Sequence, residues 1–172
     1  YHAGALQMEE YMAFTLRPLA GQPVATIREH CQRFAREQLL PRLFAEGIAR
    51  IQWHRQRGDR LVVITATGEH VVRPLMQLLG LDAVIAIELE QPQGHYTGKT
   101  RGVLSFREGK VTRLQHWLGQ QAESLEGAFF YSDSRNDLPL LEAVANPVAV
   151  DPDDTLRAIA GERGWPVLSL RG

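Results

Sequence analysis

The feature that most constrains this chain is a change of rhythm at Arg57-Gly58-Asp59, after which Leu61-Val62-Val63-Ile64 brings four apolar residues in a row. Three of the four are β-branched, and a short unbroken apolar run is the pattern of a strand buried on both faces of a parallel sheet. It predicts a central strand. Such a strand needs helices above and below it, and the remaining residues supply the alternation. A helix is expected over 69–79, ended by Gly80, then a strand over 83–87. The Gly- and Thr-rich stretch 94–105 suggests a short hairpin, followed by a helix over 109–118. Strands over 128–131 and 147–150, with a helix over 138–142 between them, lead to a helix over 155–162 and a closing strand over 167–170.

Before the turn the pattern is helical throughout. From Gln7, the residues Met8, Tyr11, Met12, Thr15 and Leu16 recur at three- and four-residue spacing until Pro18 and Gly21 interrupt them. A second helix is expected from Val24 through Ile27, Cys31, Phe34 and Leu39 to Pro41, and a third from Ala45 with Trp53 as its last apolar residue. The expected fold is therefore α/β, a Rossmann-like parallel sheet with helices on both faces over 57–172, with a helical region over 1–56 beside it. With 44% of its 172 residues hydrophobic, the chain can bury a core of that size.

Nineteen basic residues against twenty acidic ones leave a formal charge of −1, which attracts neither nucleic acid nor a membrane surface. No apolar run reaches the ~20 residues of a membrane span, and a lone Cys31 permits neither an internal disulfide nor a thiolate zinc site. A cytoplasmic protein with no nucleic-acid or membrane partner is expected.

In open α/β sheets ligands bind beyond the carboxyl ends of the strands. Thr65-Ala66-Thr67-Gly68 follows the first strand directly before a helix and offers a hydroxyl and backbone N–H groups, an anion-binding arrangement, or else a cap for that helix. Ser132-Asp133-Ser134-Arg135-Asn136-Asp137 packs two carboxylates and an amide into a turn after another strand, which suits Mg²⁺. Aspartates also make turns and caps. Lys110 opens a helix, where a lysine is ordinarily a solvated charge.

Taken together, Thr65, Lys110 and the run from Ser132 to Asp137 resemble motifs two, three and four of the haloacid dehalogenase superfamily. The phrases Tyr131 to Glu142 and Asn146 to Val150 are similar to those of its subfamily IB, the phosphoserine-phosphatase-like hydrolases. The resemblance implies a helical cap over 1–56 and a Mg²⁺-dependent phosphohydrolase working through an aspartyl-phosphate, its partner being a small phosphorylated metabolite. It implies that Thr65 and Ala66 hold the phosphate and that Lys110 offsets charge between nucleophile and phosphate. Asp133 and Asp137 are the implied metal residues, Asp133 binding directly, with Asn136 and Asp137 orienting metal-bound waters or Lys110. The nucleophile's own motif, Asp-x-Asp-x-Thr, should precede the cap and does not occur there. The only match, Asp151-Pro152-Asp153-Asp154-Thr155, comes after motif four; taken as the nucleophile motif it would require a circularly permuted enzyme, and the phrase from Asn146 to Val150 favours a turn and helix cap instead. The motif-one strand is accordingly expected upstream of Tyr1, belonging between the strands that end at Thr65 and Tyr131. The fragment by itself would then be inactive. The competing expectation is a catalytically inactive module that binds a phosphorylated ligand or a protein partner. An arginine that grips the substrate in phosphoserine phosphatases has Thr15 in its place here, with Arg17 two residues on, which points away from phosphoserine.

Overall fold

Among the described residues three α-helices precede the first strand: α1 (Met8–Thr15), α2 (Val24–Phe34) and α3 (Ala45–Gln56). Strands and helices then alternate as β1 (Val62–Gly68), α4 (Glu69–Leu79), β2 (Ala83–Leu89), β3 (Thr100–Arg101), α5 (Glu108–Gln121), β4 (Phe129–Ser132), α6 (Leu138–Leu141), β5 (Asn146–Val150), α7 (Asp154–Arg163) and β6 (Val167–Leu168). The structure is a computed structural model that describes residues 8–171, so the expected helix start at Gln7 lies outside the described residues. The chain divides into two units, one holding the residues up to Arg42 with Val62–Leu104, the other Leu43–Leu61 with Ser105 onward.

In the first unit β1 runs parallel to β2, pairing Val62 with Ala83 and Ile64 with Ile85, and its register shifts before Gly68 meets Ile87. The α4 helix packs on both strands and α2 packs on α4. Ile85, Ile87 and Leu89 of β2 are buried, as is Met76 of α4, so the apolar face of the helix closes one side of the sheet. Glu69 fixes the helix start: its Oε1 accepts the Leu89 N–H at 3.2 Å and its Oε2 accepts from Arg73 Nε at 2.9 Å. Gly80 ends α4 at φ 62°, a left-handed turn that a side chain would strain.

In the second unit β4, β5 and β6 form a parallel sheet, with Tyr131 opposite Val148 and Ala149 opposite Val167. Alternation along β4 sends Phe130 to one face, where it packs on Leu141, Ala149, Leu156 and Ala160. Phe129 and Tyr131 go to the other face, stacked at 6.3 Å, and meet α3. There the buried His54 links Asp59, at 2.7 Å from Nδ1, to the Tyr131 hydroxyl, at 2.8 Å from Nε2.

The α/β alternation and helical N-terminal part match expectation, and three details differ. The apolar run at β1 was expected to be buried on both faces, yet Val62, Val63 and Ile64 are half-buried, as are Phe129, Phe130 and Tyr131 of β4. Among the described residues β1 pairs only with β2, and β4 only with β5, so each is an edge strand of its own three-stranded sheet. No hairpin forms within 94–105; instead Thr100–Arg101 pairs antiparallel with Glu88 and Leu89, because β2 continues past Ile87. The second helix does not run evenly to Pro41. It tightens from a π turn over Ala35–Leu39 into a 3₁₀ turn over Leu40–Arg42, as a proline, having no N–H to donate, would cause.

Asp151, after β5, adopts φ 41°. Its Oδ1 accepts from Ser169 Oγ at 2.8 Å and its Oδ2 from the Leu170 N–H at 3.1 Å, which ties β5 to the chain beyond β6. The Leu170 N–H, then Ser169, hold this carboxyl below its usual range. Folding thus favours the ionised form. Its stabilising contribution is present above the unfolded value of about 3.9 and fades as pH falls through the lower folded value. Asp151→Asn should therefore lower the melting temperature near neutrality and flatten its dependence on acid, in melts recorded between about pH 2 and pH 6.

Candidate functional site

Lys110 lies in the first turn of α5 and is only 6% exposed. A buried ammonium requires a partner, and it has one in Asp137, whose Oδ1 is 2.5 Å from Nζ. The other oxygen of Asp137 accepts from Ser132 Oγ at 2.7 Å. Asp137 is 8% exposed, so lysine, aspartate and serine form a buried chain that joins the start of α5, the end of β4 and the turn leading into α6.

The turn between Ser132 and Asp137 is wound by its own polar groups. Ser132 Oγ accepts the Ser134 N–H at 3.2 Å, Ser134 Oγ accepts the Asn136 N–H at 3.2 Å, and Asp137 donates its N–H to the Ser134 carbonyl at 3.0 Å. These loops leave Asp133 at the outside of the turn, exposed, with no hydrogen bond or ion pair to its carboxylate among the described residues. Asn136 turns its Oδ1 toward Arg107, whose Nε donates at 3.3 Å. Arg107 precedes α5 with φ 49°, a strained backbone for a side-chain-bearing residue.

Asp153 stands beside the same turn. Its N–H donates to the Asp133 carbonyl at 2.9 Å, its Oδ2 accepts the Arg135 N–H at 2.7 Å, and its Oδ1 accepts the Leu156 N–H at 2.8 Å. The last bond makes it the N-cap of α7. With Asp151 bound to Ser169 and Leu170, the aspartates of the Asp151-Pro152-Asp153 run have structural partners.

Thr65 and Ala66 belong to the first unit, in the carboxyl half of β1. Thr65 does not cap α4; Gly68 occupies that position without a side-chain bond. Its Oγ1 instead accepts the Thr67 N–H at 3.1 Å and donates to Thr67 Oγ1 at 3.2 Å, folding the strand end on itself. The second unit thus gathers Lys110, Asp133, Asn136 and Asp137 around one turn.

Three participants escaped the sequence reading. Ser132 was within the quoted run but had no stated role, and the hydroxyl at that position is a signal in hindsight, since a buried carboxylate needs a second donor. Arg107 left no sequence signal, because a positive φ at arginine follows no residue preference. Asp153 was read as a cap alone.

Among the described residues no three His, Cys, Asp or Glu side chains converge as a ready-made metal cluster. No described helix is long and apolar enough to cross a membrane.

Comparison with known proteins bears on this arrangement. A family model described as haloacid dehalogenase-like hydrolase matches residues 1–142. Over 99% of its length the chain is 39% identical to a histidinol-phosphatase of Neisseria meningitidis serogroup C (strain 8013), of which it spans 79%. Among solved structures, a protein of unknown function from Bordetella pertussis Tohama I superposes with a TM-score of 0.92 at 38% identity, over 97% of this chain and 76% of that one. A phosphoserine phosphatase, solved as a phospho-aspartyl intermediate analogue, gives a TM-score of 0.67 at 18% identity, over 95% of this chain and 73% of that one, a likeness of fold alone. Of several other curated relatives the chain spans less than two thirds, 57% in one case. With most of its residues matched by the family model and with a relative this similar along nearly its whole length, the chain belongs to the haloacid dehalogenase-like hydrolases.

Proposed function

We propose that the protein to which these residues belong is a Mg²⁺-dependent phosphohydrolase that cleaves a small phosphate monoester through an aspartyl-phosphate intermediate. The observation that carries this reading is the buried Lys110–Asp137–Ser132 chain beneath a turn that leaves Asp133 uncommitted. Phosphoryl transfer depends on positioning and on offsetting charge. A positive charge held about 4 Å from an anion is worth on the order of 4 kcal/mol at an effective dielectric near 20. Lys110 is the residue that would supply that charge, and Asp137 is the residue that holds it.

The donor set suits the ion. Mg²⁺ takes one or two carboxylates and keeps several waters, and Asp133 offers a free carboxylate of the right hardness. Asp137 has both oxygens engaged and acts as the positioner of Lys110, while Asn136, steered by Arg107, lies close enough in sequence to order a metal-bound water. When bound, the ion would neutralise phosphate charge. Thr65 and Ala66 lie in the first unit and keep there the phosphate-holding role that the family resemblance implies. Among the described residues none is assigned the role of the nucleophilic aspartate or of the acid that protonates the leaving oxygen.

The substrate is a small phosphate monoester, and the name of the Neisseria relative puts histidinol phosphate first in a panel. Phosphoserine ranks lower. Thr15 donates its hydroxyl to the Met12 carbonyl of its own helix, and the Arg17 guanidinium lies over the Phe14 ring. The test is an assay of the full-length protein against a broad panel of phosphate monoesters. Hydrolysis should vanish with EDTA and return with Mg²⁺. No Mg²⁺-stimulated release of phosphate from any ester would leave the non-catalytic binding module as the better description.

A further inference from the structure

We infer that Asp153 is a positioning residue for the Asp133 turn, setting the affinity of that turn for the divalent ion. This rests on the reading of Asp133 as the metal carboxylate. The geometry is specific: three hydrogen bonds of 2.7 to 2.9 Å run from one residue to two segments. The Asp153 N–H takes the Asp133 carbonyl, and one carboxylate oxygen takes the Arg135 N–H. The backbone that leaves Asp133 is thereby held at two points, the Asp133 carbonyl and the amide two residues on. The second carboxylate oxygen takes the Leu156 N–H, which fixes Asp153 to the first turn of α7.

That helix is anchored in turn, because Leu156 and Ala160 are fully buried in the core of the unit. The core therefore reaches the turn through a single residue, by its backbone N–H at Asp133 and by its carboxylate at Arg135. Only a group with two acceptor oxygens can take both the Arg135 and the Leu156 N–H. An ordinary N-cap needs one, so capping explains the Leu156 bond and leaves the Arg135 bond unexplained. A serine in this place would keep one acceptor for Leu156 and could not also reach Arg135. An asparagine would present an NH₂ group to one of the two N–H donors.

Groups that orient a metal ligand from outside its coordination sphere commonly change metal affinity about 10- to 100-fold when removed. The experiment uses the full-length protein and three variants: Asp153→Ser, Asp153→Asn and Asp133→Asn. Mg²⁺ activation of phosphate-ester hydrolysis and Mn²⁺ binding followed by electron spin resonance are measured together. Asp153→Ser should bind Mn²⁺ about tenfold more weakly and need about tenfold more Mg²⁺ for half-maximal rate, with most of the maximal rate recovered at saturation. Its melting temperature should stay near the parent's, because the cap is kept.

Unchanged metal midpoints in folded Asp153→Ser and Asp153→Asn, with Asp133→Asn impaired, would overturn the inference and leave the metal reading intact. Unchanged Mn²⁺ binding in Asp133→Asn would sink the metal reading itself. Amide exchange in the unmutated protein gives the result that no folding defect can obscure. The Arg135 N–H, on an exposed turn residue, should be protected at least about tenfold over a free amide, and an unprotected one overturns the inference.

Discussion

Lys110→Met, made in the full-length protein, should cost about 3–5 kcal/mol of stability and lower phosphate-ester hydrolysis on the order of 10²- to 10³-fold. The stability loss follows from what is left behind. Asp137 is 8% exposed, and without the ammonium it retains Ser132 as its only described hydrogen-bonding side chain. An uncompensated carboxylate in that position must be protonated or drag water in. The loss should therefore be relieved by removing the second charge as well. Lys110→Met with Asp137→Leu should recover most of the stability, since a buried pair replaced by apolar groups of similar volume is often neutral. It should recover none of the activity. Urea melts of the two single variants and the double variant close a cycle, and the coupling energy should be clearly non-zero. If the double variant regained the rate, Lys110 would be a structural lysine and the charge-offset role would be wrong.

How far the sequence foretold this site depends on which kind of information each residue carries. The motif-four turn was legible because Ser, Asp and Asn in dense order after a strand are residues whose side chains bond to nearby backbone, and they do so here in sequence order. Lys110 was legible only through family resemblance. Its burial depends on a partner twenty-seven positions away, roughly the kind of contact that local pattern does not encode. Asp153 was legible by half: an aspartate at the start of a helix announces a cap, but its second oxygen reaches a segment remote in sequence. The run Leu61-Val62-Val63-Ile64 was legible as a strand but not in its degree of burial. An unbroken apolar run reports that a strand avoids water on average; it does not report how many neighbours the strand has, and β1 has one among the described residues. The antiparallel β3 was missed because Gly and Thr marked the turn region correctly while the pairing partner lay upstream, in the continuation of β2.

Leu156→Ala should destabilise the second unit by about 2–5 kcal/mol, as large-to-small changes at fully buried leucines do. Leu156 is 0% exposed and packs among Leu141, Ala149 and Ala160, with Phe130 and Trp165 closing the cluster. Two of those neighbours are alanines, whose short side chains cannot swing into the vacated space, so the cavity should persist. Leu78→Ala provides the contrast. Leu78 is 42% exposed on α4, and its truncation should change stability by about 0.5 kcal/mol or less. The core leucine also carries a functional expectation. It sits one turn from Asp153 on α7, and loosening that helix should weaken the hold on the Asp133 turn. Leu156→Ala should then require more Mg²⁺ for half-maximal hydrolysis even below the temperature at which it unfolds, while Leu78→Ala should not. A Leu156→Ala protein within about 1 kcal/mol of the parent in urea would mean that the cluster around α7 is not the stabilising core of this unit.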